Sequence, residues 1–449
     1  MALPVSTRVR RVAIFAQSSA KFDPIAPRSI EETGLSMGFL SDLALKVLYF
    51  KGYISGYEMA EAIRLPFKNI TDRVLEFLKR DHFVEVKGSS GGAYAESAYE
   101  YVITSKGSER AREILDRGQY AGPAPVTLQS YKAAMRKQAL QEVEIGPNEV
   151  RDAMSHLVLS DKVLCQIGPA INSSRSIFLF GHPGNGKTTI AEAIGFMILQ
   201  GEMYIPYAVE VGGQIIRVFD ATSHKVVSDE LEGRYGPGPL GNGQRLDRRW
   251  VRIRRPVIVA GGELTLESLD LNWDDGKRYY EAPLQMKANG GMFLIDDFGR
   301  QQIRPRDLLN RWIVPLEKRF DYLTLQTGGT IEIPFDMLII FATNLEPRDL
   351  VDEAFLRRIR HKIEIKNPTF EEYREIFQRV AHSKSIPYDE QTLTFLLQEY
   401  YIKPNRALRS CHPRDILDQL TDIARFQSAP LQLTKELIDQ ACLSYFVDL

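Results

Sequence analysis

Gly181-His182-Pro183-Gly184-Asn185-Gly186-Lys187-Thr188 follows the pattern G-x-x-x-x-G-K-T. Such a loop lets successive backbone N–H groups turn inward and cradle the phosphates of a nucleotide. Lys187 adds a fixed positive charge, and the Thr188 hydroxyl is a ligand for Mg²⁺. The local context agrees. Residues 177–180 form an unbroken apolar run, as in a strand covered on both faces, and residues 188–199 read as a helix. The phosphates would then rest on that helix's N-terminus. The candidate nucleotide contacts are Gly181, Pro183, Gly184, Asn185, Gly186, Lys187, Thr188 and Thr189. A second element, Met292-Phe293-Leu294-Ile295-Asp296-Asp297, is an apolar strand ending in two acids. Asp296 suits a Mg²⁺ site, and Asp297 suits the orientation and deprotonation of an attacking water. The bland alternative is a pair of acids that merely ends a strand.

Further along come a strand ending Phe341-Ala342-Thr343-Asn344 and the segment Phe355-Leu356-Arg357-Arg358-Ile359. In this order the motifs resemble the AAA+ superfamily of ATPases over residues 148–449. The resemblance implies ATP and Mg²⁺ as ligands and ATP hydrolysis as the reaction. It implies that Asn344 contacts the γ-phosphate and the water. An arginine at Arg358, with Arg357 a close rival, would reach the nucleotide of the neighbouring subunit, so the chain is expected to form a homo-oligomeric, hexameric ring. Cys411-His412-Pro413-Arg414-Asp415 is similar to the family's second sensor segment, which makes Arg414 the candidate there. Most members carry Glu where this chain has Asp297, one methylene shorter. Either the local backbone compensates, or hydrolysis is slow and the protein acts as a nucleotide switch or scaffold. Residues 322–335 read as a β-hairpin, Leu323 and Leu325 alternating on one arm and Ile331 and Ile333 on the other. This looks like the pre-sensor hairpin of the branch that includes MoxR-type chaperones, replicative MCM helicases and bacterial enhancer-binding activators. Residues 280–292 also resemble the activators' approach to the acidic strand, but the Gly-Ala-Phe-Thr-Gly-Ala loop of those activators is absent.

At 449 residues the chain exceeds a single core. Residues 30–120 outline three helices, a hairpin turning at Gly91-Gly92 and a closing helix, the pattern of a winged helix-turn-helix. Residues 121–147 read as a linker around Gly122-Pro123-Ala124-Pro125. Residues 148–367 read as an α/β parallel-sheet core with an insertion at about 204–290, and residues 368–449 as a helical lid. The expected fold is therefore an α/β P-loop core with a C-terminal helical lid and an N-terminal winged helix-turn-helix. Lys plus Arg number 57 against 58 Asp plus Glu, so whole-chain charge favours neither a nucleic-acid sponge nor a membrane-surface binder. Three distant cysteines have no metal-ligand spacing and fit a reducing cytoplasm. The apolar run after the basic opening, residues 12–16, is too short for a signal-peptide core, and nothing approaches the roughly 18 apolar residues of a membrane span. The expectation is a cytoplasmic protein with no membrane insertion.

Three features face partners. Residues 67–80 would be the groove-entering helix of a DNA-binding winged helix, with Lys68, Asn69, Arg73, Lys79 and Arg80 outward. Asp72 and Glu76 share that face, so docking to a protein client is the leading expectation, and an ATP-dependent DNA-binding regulator the alternative. Arg245, Arg248, Arg249, Arg252, Arg254 and Arg255 surround Trp250, which suits single-stranded nucleic acid or, since Asp247 interrupts the run, an exposed charge-paired strand or a subunit interface, the favoured reading. Asp220 and His224 lack a third metal ligand and read as a loop pair, ahead of a glycine-rich stretch at 233–243.

Overall fold

Spacing of apolar residues and side-chain caps set the N-terminal module. α1 (Met37–Lys51) is opened by the Ser36 hydroxyl, which accepts the Phe39 N–H, and it buries Leu40, Leu43, Ala44 and Val47. β1 (Tyr53–Ser55) leads into α2 (Gly56–Ile63) through a reciprocal capping box of Ser55 and Glu58. The helix expected over residues 67–80 starts late: α3 is Asp72–Arg80. Pro66 opens a non-helical turn in which Asn69 takes φ +69°, and the Asp72 carboxylate accepts the Asn69 N–H at 2.9 Å. β2 (Val84–Ser89) and β3 (Tyr99–Ile103) pair antiparallel, β1 adds to β3, and α4 (Ser105–Leu115) closes the module. The computed structural model describes residues 22–89, 96–140, 145–227, 245–350 and 356–446; Gly91-Gly92, residues 1–16, residues 233–243 and Phe355 lie outside these.

β4 (Val126–Thr127) and α5 (Leu128–Lys137) follow, then α6 (Pro147–Ala153), α7 (Asp161–Asn172), β5 (Ser176–Phe180) and α8 (Lys187–Leu199). Next come β6 (Glu202–Pro206), β7 (Ala208–Val211), β8 (Gln214–Arg217), β9 (Trp250–Arg254), β10 (Val257–Ala260), β11 (Asn272–Asp274), β12 (Tyr279–Glu281) and β13 (Met292–Ile295). Beyond them lie α9 (Pro305–Arg311), α10 (Ile313–Lys318), β14 (Phe320–Thr324), β15 (Thr330–Pro334), β16 (Leu338–Thr343) and β17 (His361–Glu364). The lid is α11 (Phe370–Ser383), α12 (Glu390–Leu397), α13 (His412–Phe426) and α14 (Lys435–Tyr445), packed on a core of its own around Tyr373, Phe377, Leu417 and Ile438.

The fold is α/β. Five parallel strands run in the order β10-β13-β16-β5-β17, with β5, first of the five in the chain, between β16 and β17. β13 and β16 are buried throughout, as sheet strands covered on both faces must be. The crevice beyond the carboxyl ends of such strands is where an open α/β sheet binds ligands.

Two boundaries differ from the sequence expectation. Val257–Ala260, placed inside the 204–290 insertion, is the sheet's edge strand, paired with β13. The presumed linker is folded into the insertion. β4 pairs parallel with β7, completing the sheet β11-β12-β8-β7-β4, and α5 buries Tyr131, Ala134 and Met135 in one core with Ile216, Tyr280 and the hairpin residues Leu323 and Ile333. The expected hairpin is present, β14 pairing antiparallel with β15 and Leu323 opposite Ile331.

The N-terminal module also shares a core with the insertion, through Ala208, Ile215 and Tyr279. The arginine run serves that junction. Arg249 pairs with Asp247 at 2.8 Å, both almost fully buried, and donates to the carbonyls of Thr33 and Pro125. Breaking a buried pair of this kind costs about 3–5 kcal/mol. Arg248 meets Glu61, Arg252 and Arg254 share Glu202, and Arg255 is buried against the Gln138 and Gly290 carbonyls. Trp250 is buried too. These contacts match the expected charge pairing, but the strand is not exposed: Trp250, Val251 and Ile253 are buried. Asp220 and His224 are likewise satisfied by Thr222, Lys287 and the Lys287 carbonyl, and among the described residues no cluster of three or more His, Cys, Asp or Glu could hold a metal ion. No helix of the described residues is long and apolar enough to cross a membrane.

Candidate nucleotide site

The loop after β5 turns sharply because two of its glycines occupy places no side chain could. A Cβ on Gly181, at φ +137°, would stand 2.2 Å from the Ile365 carbonyl oxygen. One on Gly184, at φ +81°, would stand 2.6 Å from the Cys411 sulfur. Gly186 then caps α8 with no side-chain hydrogen bond, so the first N–H groups of that helix are left to a ligand. Asn185 and Lys187 are buried, while His182, Pro183, Thr188 and Thr189 are exposed.

The Lys187 ammonium has three acceptors for its three protons. They are the carbonyls of Gly181 and His182, each at 2.9 Å, and Asn344 Oδ1 at 2.6 Å. Burial pushes its pKa below the usual lysine range, Asp297 and Asp296 pull it back, and the like charge of Arg409 pushes it down again. Thr188 Oγ1 donates to Asp296 Oδ1 at 3.0 Å, so the two groups suited to a divalent cation already face each other. Asp297 sits at φ +50°, a left-handed conformation that Asp tolerates, and Asn344 Nδ2 donates to its Oδ1 at 3.2 Å. Uncapped helix N-terminus, lysine, hydroxyl, two carboxylates and an amide thus converge at the carboxyl ends of β5, β13 and β16. This set can hold a triphosphate with its cation and present a base to a water beside it.

A model of a domain of unknown function, DUF8689, matches residues 369–444, the lid. No curated protein matches the sequence. Among solved structures the chain is similar to a mutant of Thermotoga maritima RuvB, at 12% identity and TM-score 0.35 over 69% of this chain and 73% of that one. It is also similar to NtrX from Brucella abortus in complex with ADP, at 15% identity and TM-score 0.37 over 73% of this chain and 64% of that one. These are likenesses of fold alone. At such TM-scores they add nothing to what the geometry of the site carries.

Arg357 and Arg358 lie elsewhere. The Arg358 carbonyl and the Arg360 N–H flank the Ser176 hydroxyl at the start of β5, whereas the glycine loop leaves its end. Five strand residues span about 13 Å at ~3.3 Å per residue. Arg358 pairs with Glu317 at 2.6 Å, at a cleft of about 640 Å³ lined by Arg175, Arg319, Arg357, Arg358, Arg360 and Lys362. Arg414 is exposed on the first turn of α13 beside Asp415. The lid arginine that the structure brings against the loop is Arg409, whose charge Lys187 feels. Sequence reading missed it, and missed Asn367, because neither belongs to a recognisable motif. It also missed two adjoining cavities of about 420 and 130 Å³ beside the loop. Val158, Leu159 and Phe180 line the larger, and Leu157, Ile190 and Val380 the smaller. The smaller has mostly apolar walls that suit a flat heterocycle, whereas the larger is also lined by Lys162, Gln166, Lys366 and Glu372; the only available signal was the apolar spacing of residues 157–159.

Proposed function

We propose that this chain binds and hydrolyses ATP as an AAA+ protein, working as a ring in which each site is completed by an arginine of the next subunit. One observation carries the proposal. The phosphate cradle with Asp296, Asp297 and Asn344 lies at one end of β5, and the arginine-lined cleft lies at the other. A cleft with six cationic side chains, of which Arg358 pairs with Glu317 and Arg319 with Asp336, offers donors well matched to phosphate. Within one subunit it lies at the far end of β5 from the cradle, which supports a reading in which a second copy brings the two together. In this reading Thr188 and Asp296 hold Mg²⁺, which when bound neutralises charge on the phosphates. Asn344 orients the water and Asp297 accepts its proton. The left-handed Asp297 turn, which carries the carboxylate to Asn344, supports backbone compensation for the short side chain over a slow switch.

The loop itself is tested by Lys187→Ala. ATP affinity should fall at least about a hundredfold, as expected on losing a buried charge-assisted contact. Calorimetry on the folded variant checks this, and retained affinity would remove the basis of the reading.

The N-terminal module, read as a winged helix, recruits a protein partner. On α3 and the turn before it, Lys68, Arg73, Lys79 and Arg80 are exposed, yet Glu76 is exposed among them and Asp72 is half-buried. A duplex binder needs a more uniform basic stripe. Duplex DNA should therefore bind weakly in a mobility-shift assay at about 150 mM salt. Tight binding that falls steeply between about 50 and 200 mM, as on the order of 10³-fold for phosphate-driven complexes, would make it a DNA-binding module instead.

A further inference from the structure

A single side-chain oxygen in the hinge between core and lid touches both walls of the nucleotide cradle. Asn367 lies between β17 and α11, and its Oδ1 accepts Asn185 Nδ2 at 2.8 Å and Arg409 Nη1 at 2.6 Å. Asn185 belongs to the glycine loop, is 3% exposed, and accepts the Ser410 N–H on its own Oδ1 at 3.3 Å. Beside it the Cys411 N–H donates to the Gly184 carbonyl at 2.8 Å. Residues 409–411 of the lid are therefore seated edge-on against the loop, and Asn367 holds the charged end of that seat.

We propose that Asn367 is a positioning residue that sets how long a bound nucleotide is retained, by clamping the lid's Arg409 and the loop's Asn185 on one oxygen. The inference rests on the loop being a nucleotide site. Two consequences follow from the geometry. With Asn185 tied to the hinge and lid, the loop keeps its N–H groups turned inward before any phosphate arrives, and such pre-organisation strengthens binding. For the lid to swing away, the Arg409–Asn367, Ser410–Asn185 and Cys411–Gly184 bonds must break together, and lid opening governs release in many enzymes. The Arg409 bond is the charge-assisted one and so is the strongest of the three. Arg414, exposed and paired with its neighbour Asp415, has no part in this clamp.

The test uses the full-length protein loaded with a fluorescent ADP analogue and chased with ADP in a stopped-flow instrument. Asn367→Leu keeps the size and removes the acceptor, and it should release the analogue about tenfold faster or more. Asn367→Asp, which still accepts from both partners, should release it close to the parental rate. Arg409→Ala should match Asn367→Leu, and the double variant should be no faster than either, because both substitutions cut the same clamp. A residue that merely supported the fold would lower the melting temperature without that pattern. If Asn367→Leu does not fold, Arg409→Ala and Asn367→Asp carry the comparison. Parental release rates in Asn367→Leu and Arg409→Ala, or multiplying effects in the double variant, would overturn the clamp. A parent protein that binds no ADP would instead sink the nucleotide reading, and the clamp with it.

Discussion

Removing the Arg358 guanidinium should cut ATP turnover by on the order of a thousandfold while ATP affinity stays near that of the parent. The size of the loss follows from the role. An arginine that stabilises charge building on a transferring phosphoryl group contributes about 10³–10⁵ to rate in related phosphoryl-transfer systems. Retained affinity follows from its position, since Arg358 stands by Ser176, at the opposite end of β5 from Lys187 and Thr188. Arg357→Ala is the control. Both arginines line the cleft, and Arg358 is the one that pairs with Glu317 there, so loss of Arg357 should weaken turnover less. Steady-state phosphate release and calorimetry on both variants decide between them. If Arg357→Ala is the inactive one, the finger is misassigned; if neither loses activity, the cleft has another purpose.

Asp297→Asn should bind ATP as tightly as the parent and turn it over about 10²–10⁴-fold more slowly, the contribution expected of a positioned general base. The amide keeps an oxygen to accept from Asn344, so the 3.2 Å contact and the left-handed turn have no reason to change. What it loses is the ability to take a proton. Single-turnover hydrolysis with enzyme in excess separates this step from product release. Unchanged turnover would move the base elsewhere. The exposed Glu263, whose carboxylate accepts the Gly261 N–H at the end of β10, would be next to examine.

Much of the site was legible in the sequence because its chemistry is local. The glycine loop, Lys187 and Thr188 are consecutive, and the strand before and helix after them are set by apolar runs of a few residues. Asp296, Asp297 and Asn344 could be placed because each ends a buried strand, and neighbouring parallel strands end at the same edge of the sheet. Illegible features are long-range. Two residues, Val126 and Thr127, form a strand only because Val209 and Glu210 lie alongside them, and a Pro-Gly stretch just before makes the segment look like a linker. The apolar run at 257–260 carries no mark that separates an edge strand of the main sheet from the strands of the insertion. Asn69 breaks the start of α3 by taking a left-handed conformation that a helical apolar pattern conceals. Arg409 and Asn367 are far apart in sequence and meet only once the lid has docked on the glycine loop.

Whether one subunit completes the site of another can be measured by mixing two inactive proteins. Lys187→Ala subunits have an intact Arg358 and no working cradle, and Arg358→Ala subunits have the cradle and no arginine. In a mixed ring some interfaces bring the intact arginine to the intact cradle, a pairing that neither parent ring contains. Because each defect alone should cost a large factor, activity regained at those interfaces should stand well above both parents. It should rise and fall with the mixing ratio. Native mass spectrometry shows whether mixed rings form. Phosphate release from them well above that of either parent is the expected result. Mixed rings no more active than their parents would mean that each subunit completes its own site, contradicting the trans arrangement.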